Sequence, residues 1–155
     1  MDSLTHIVTG AIIGEAVLGK VSGKKAMFWG ALAASAVLKF LFPDNLLLGA
    51  TMPTGSDIQS FVLEFILSFF LMLVVLNVAH GSKEQGMFAG LAIGSVVLLE
   101  AMFAGPVSGA SMNPARSIAP ALVSGHTEHL WIYLLGPVAG TSASVFAWKM
   151  TDPKK

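Results

Sequence analysis

Residues 106–125 read Pro106-Val107-Ser108-Gly109-Ala110-Ser111-Met112-Asn113-Pro114-Ala115-Arg116-Ser117-Ile118-Ala119-Pro120-Ala121-Leu122-Val123-Ser124-Gly125. They join two apolar segments, yet they are far from hydrophilic. Asn113 is a good N-cap, and Pro114 suits the first position of a helix. The pattern predicts a helix from Pro114 to about Val123, with Pro120 distorting it late. About ten residues make about 15 Å of helix, half the thickness of a hydrocarbon core. Backbone of this kind is tolerated at depth only where protein buries it or where it lines a water-filled cavity. The expectation is a re-entrant half-helix with its positive N-terminal end inward and Arg116 projecting from the first turn. An ordinary surface loop carrying a short helix is the alternative.

The flanking sequence agrees with a membrane. Of 155 residues, 54% are apolar and 12% charged, against roughly 25% charged in a soluble domain. This excludes disorder, a coiled coil and an ordinary soluble enzyme domain. Nine basic residues balance nine acidic ones, so nothing points to nucleic acid. With no cysteine there is neither a disulfide nor a thiolate metal site. Phe61–Ala79, Met87–Gly105 and Leu130–Trp148 each offer 19 residues, close to the about 20 that a spanning helix needs. Leu4–Gly19 and Ala26–Phe42 are shorter candidates. Leu4–Gly19 has no basic segment before it and is read as a retained helix, not a signal peptide. The fold expected is all-α and integral to the membrane, with about five transmembrane helices plus the half-helix.

Charge sets the orientation. Lys20, Lys24 and Lys25 fall in the first connection, Lys83 in the third, and Lys149, Lys154 and Lys155 after the last helix. Five alternating helices put all seven on one side. By the positive-inside rule that side is cytoplasmic, which leaves the N-terminus outside. Lys39, near the other face, is expected to snorkel to the interface. The expected location is the cell (inner) membrane, crossed several times.

Gly109-Ala110-Ser111-Met112-Asn113-Pro114-Ala115-Arg116-Ser117 resembles the second Asn-Pro-Ala signature of the aquaporins, the major intrinsic proteins. Gln59 to Glu64 and the Phe-rich run after it resemble that family's fourth helix. Leu91–Gly94 and Gly105–Gly109 resemble its fifth, Trp131-Ile132-Tyr133 and Gly136–Gly140 its sixth, and Leu38–Pro43 the end of its third. The resemblance covers about residues 30–150. It implies a pore for water or small neutral solutes such as glycerol, with no enzyme activity, cofactor or metal. Family members carry two inverted repeats, each with a half-helix. This sequence has one Asn-Pro-Ala, so it resembles half of an aquaporin bundle, in residues 36–152. Residues 1–35, with Met1–Glu15, are similar to the start of bacterial membrane-bound metal-dependent hydrolases. That suggests a fusion, with a hydrolase relic or a non-conducting membrane scaffold as alternative functions.

The aquaporin resemblance implies roles for single residues. Asn113 would donate its amide to a passing oxygen. Arg116 would donate at the outer constriction and repel cations, and exposed carbonyls of Gly109, Ala110 and Ser111 would accept. The fifth-helix and loop positions of the constriction correspond to Ala101 and Ala110. Glu64 would support the re-entrant backbone. Glu100 would do a similar job or meet the missing half. The partners implied are the lipid bilayer, the permeating solute, and either a front-half aquaporin chain or further copies of this one. Gly86, Gly90 and Gly94, and Gly136, Gly140 and Ser144, form small-residue ladders that permit close helix packing. His6 and Glu15 are metal-ligand candidates beside a simpler structural role. His80, His126 and His129 fall at helix ends or in the outer loop, where solvation explains them.

Overall fold

A computed structural model describes residues 23–80 and 86–151. Leu4–Gly19, His6, Glu15, Lys20, Lys83, Lys154 and Lys155 lie outside the described residues. Those described form five helices: α1 (Gly23–Leu41), α2 (Asp57–Ala79), α3 (Ala89–Ser108), α4 (Pro114–Ser124) and α5 (Leu130–Thr151). Three of these, α2, α3 and α5, are long and apolar enough to cross a membrane. Helix α2 begins four residues before its expected segment and α5 ends three after it, while α3 starts two residues later and ends three later than expected, because hydropathy marks the apolar centre and not the hydrogen-bonded termini. Lys24 and Lys25 belong to the first turn of α1, not to a connection.

The chain divides into two units, Met1–Thr51 with Pro114–Leu130, and Met52–Asn113 with Trp131–Lys155. In the first, α1 packs on α4. Asn45 starts the descent from α1: its side-chain oxygen accepts the amides of Leu47 and Leu48, at 3.1 and 3.0 Å. Lys39 does not simply snorkel. Its Nζ donates to the Val123 carbonyl at 3.2 Å, placing a cation on the negative end of α4.

In the second unit, α2 packs on α3. Ser56 caps α2 by accepting the Gln59 amide at 3.2 Å. The buried side chains of this unit are a mixture, with Leu67, Ile132 and Tyr133 beside several polar groups, and its outer surface is apolar. Ser60, Glu64, Ser68, Ser108 and Ser144 are fully buried. Phe70, Leu98, Leu99, Met102, Phe103 and Phe146 are exposed. An apolar outer surface suits a helix bundle whose solvent is lipid; of the buried polar groups, Ser108 pairs with Glu64, whereas the Ser60, Ser68 and Ser144 hydroxyls have no hydrogen-bond partner among the described residues. Helices α2 and α5 meet closely. A Cβ on Gly140 would overlap the Phe65 carbonyl oxygen and lie 3.1 Å from the Phe69 amide nitrogen, and one on Gly136 would lie 3.0 Å from the Glu64 Cβ. The other ladder behaves differently. Nothing among the described residues comes within 4 Å of a Cβ on Gly86, Gly90 or Gly94. Spacing alone could not separate the ladder that has a neighbour from the one that has none.

Candidate functional site: a strained loop held by Glu64, and the half-helix after it

The expected short helix is present. Its 11 residues, Pro114–Ser124, span about 16 Å, and Pro120 lies inside it. Pro114, Ala115 and Arg116 form its half-buried first turn. In the second turn Ser117 is buried and accepts a hydrogen bond from Thr51 Oγ1 at 2.7 Å. Thr51 was not singled out from the sequence, where a lone threonine between helices carries no signal.

The segment before Asn113 has an unusual backbone. Gly109, Ala110 and Met112 all have positive φ, at 83°, 42° and 53°. The first suits glycine, which also ends α3 as its cap. The other two are costly for residues with a Cβ, and such conformations persist only where their surroundings over-determine them. The surroundings are Glu64. Its Oε1 accepts from Ser108 Oγ at 2.9 Å and from the Ser111 amide at 2.8 Å, and its Oε2 accepts from the Met112 amide at 2.8 Å. Two successive amides turned onto one carboxylate form a small anion-binding nest. The Gly109 amide bonds the Gly105 carbonyl at 3.0 Å, and the Ala110 amide bonds Ser108 Oγ at 3.2 Å. Ser111 Oγ donates to the Asn113 carbonyl at 2.9 Å. Every amide from Gly109 to Met112 therefore has a partner within this unit.

The same pull corrects one expectation. Three exposed carbonyls were expected at Gly109, Ala110 and Ser111. Gly109 and Asn113 are half-buried, but Ala110 and Ser111 each keep only 3% of their surface. The reason is local: Glu64 draws the Ser111 amide inward, and Ala110 joins the buried cluster of Leu67 and Ala104, with Met112 packed beside it. Ala101 is half-buried on α3. Glu100 is 8% exposed on the same face as Ala104 and Ser108, with one carboxyl oxygen lacking a hydrogen-bond partner. It does not share in the support that Glu64 supplies. His80 is the exposed C-cap of α2, with its ring 4.6 Å from that of Trp148. Among the described residues no group of three His, Asp or Glu side chains could hold a metal ion.

Comparison with known proteins accounts for this geometry. The model of the family described as Major intrinsic protein matches residues 3–148. Aquaporin NIP1-4 of Oryza sativa subsp. japonica is 42% identical over 152 residues, covering 94% of this chain and 56% of that protein. Nodulin-26 of Glycine max is 48% identical over 126 residues, covering 81% and 46%. Aquaporin NIP1-2 of Arabidopsis thaliana is 44% identical over 130 residues, covering 78% and 44%. The chain thus spans about half the length of the curated relatives it matches. The matched range runs through residues 3–35, and no comparison supports the resemblance of that segment to a hydrolase. The short helix after Asn-Pro-Ala, the strained loop on Glu64 and the match along nearly the whole chain lead to one conclusion: this chain belongs to the major intrinsic protein family of multi-pass membrane channels, and not to an enzyme family.

Proposed function

We propose that this chain forms the back half of an aquaporin-type channel for passive passage of water or small neutral solutes such as glycerol. The observation that carries this reading is the loop held by Glu64, which delivers Asn113 to the start of a helix too short to span the bilayer. Asn113 and the Gly109 carbonyl are the midplane donor and acceptor. Ala110 and Ser111 add only the sliver of surface they retain. Arg116 is the outer donor and the barrier to cations, and Pro114 and Ala115 start the helix that aims it. Ala101 lines the constriction from α3. Glu64 is support, not lining.

An aquaporin pore uses two half-helices entering from opposite sides. The described residues supply one, so we propose that the other comes from a front-half segment. Parallel copies of this chain are related by an axis along the membrane normal, so their half-helices enter from the same side. An antiparallel pair would need dual topology, against the lysine bias. The test is osmotic swelling of proteoliposomes. The chain alone is expected to give near-background water permeability. Co-reconstitution with a front-half aquaporin segment should raise it, and Arg116→Leu should change the resulting selectivity. Fast swelling by the chain alone, lost on Asn113 or Arg116 substitution, would overturn the half-channel reading. No swelling in either case would leave the non-conducting scaffold.

A further inference from the structure

The last four carbonyls of a helix have no donor within it and must find one elsewhere. Those of α3 belong to Gly105, Pro106, Val107 and Ser108, and each has a partner. The Gly109 amide bonds the Gly105 carbonyl at 3.0 Å. Thr54 takes the next two, its Oγ1 donating to the Pro106 carbonyl at 2.9 Å and its amide to the Val107 carbonyl at 2.9 Å. Tyr133, fully buried on α5, donates its hydroxyl to the Ser108 carbonyl at 2.6 Å. Ser108 is thus gripped from two sides, its carbonyl by Tyr133 and its hydroxyl by Glu64. The residues with positive φ begin one position later.

We propose that Tyr133 and Thr54 are positioning residues for the Gly109–Asn113 segment. They fix the carbonyl end of α3 while Glu64 fixes the amides beyond it. A loop with two non-glycine residues at positive φ would relax toward ordinary conformations if either end slipped. Neither residue belongs to the Asn-Pro-Ala signature, and neither need touch a permeating molecule. Their relevance to transport rests on the channel reading, but their effect on the loop does not.

The test is residue-resolved amide hydrogen exchange of the full chain in nanodiscs, with melting followed in parallel. Tyr133→Phe keeps the ring and removes only the hydroxyl. Thr54→Val removes only Oγ1 and keeps the amide bond to Val107. Each is expected to speed exchange at Ser111 and Met112 about fivefold, the equivalent of one net hydrogen bond, with exchange within α2 unchanged. Thr54→Ser should restore wild-type rates, which separates the hydroxyl from bulk. Should Tyr133→Phe fail to fold, the Thr54→Val and Thr54→Ser pair decides. Wild-type exchange at Ser111 and Met112 in the folded variants would overturn the proposal. Absent swelling of proteoliposomes co-reconstituted with a front-half segment, together with faster exchange in the variants, would count against the channel reading alone, and swelling of that pair with unchanged exchange against this proposal alone.

Discussion

Glu64 accepts from Ser108 Oγ and from the Ser111 and Met112 amides and has no exposed surface. A glutamine there would keep one acceptor and turn an amide NH2 group toward a backbone N–H, donor against donor. Losing a buried bond to a charged group costs about 1.5–3 kcal/mol. Glu64→Gln is therefore expected to lower stability by about 2 kcal/mol, read by chemical denaturation in micelles, and to release the Met112 or Ser111 amide to exchange. Unchanged stability and protection would show that Glu64 does not hold the loop. An intramembrane carboxylate is a functional suspect from sequence alone, because its burial in lipid is so unfavourable. Its partners were not visible, since backbone amides 47 and 48 residues away carry no sequence mark. Ala110 shows the converse: its place in the signature suggested lining, and the structure packs its methyl group against Leu67 and Ala104.

Among the elements, α2 and α5 approach closely at Gly136 and Gly140. The Gly140 position has no room for a side chain beside the Phe65 carbonyl oxygen, whereas the Gly94 position on α3 is open. Overpacking costs about 1–3 kcal/mol. Gly140→Val is expected to destabilise by at least that much and to push α5 from α2. Gly94→Ala should be neutral or stabilising by up to about 1 kcal/mol, since alanine is the better helix former. Thermal denaturation of both variants in the same detergent checks the pair, and equal losses would mean that the Gly94 face is closed after all. Both glycines belong to ladders of the same spacing. Periodicity marked them equally, and only the backbone of α2 separates them. The half-helix α4 was legible from Asn113, Pro114 and a length of ten residues. Its two ties were not, because Lys39 and Thr51 lie 84 and 66 residues from Val123 and Ser117.

At the scale of the whole molecule, orientation follows from lysine placement. Five alternating helices would put seven of the nine basic residues on one side, Lys149 in the last turn of α5 among them. The chain contains no cysteine, so a single introduced thiol is an unambiguous reporter. Lys83→Cys is expected to react with an impermeant maleimide only after the cytoplasmic face is opened. Labelling from outside intact cells would reverse the topology, and with it the side from which α4 enters.

Sequence by itself determined the class of this protein: its composition, three long apolar runs, and an Asn-Pro-Ala-Arg stretch that opens a segment too short to span. These are local properties, written in consecutive residues, and lipid imposes them directly through helix length and hydrogen-bond satisfaction. Tertiary structure decided which polar groups answer one another: Glu64 with Ser108, Ser111 and Met112, Tyr133 with Ser108, and Thr54 with the end of α3. Such pairings join residues that are distant in the chain. They follow from the need of each buried donor and acceptor for a partner, and the packed helices settle which partner that is.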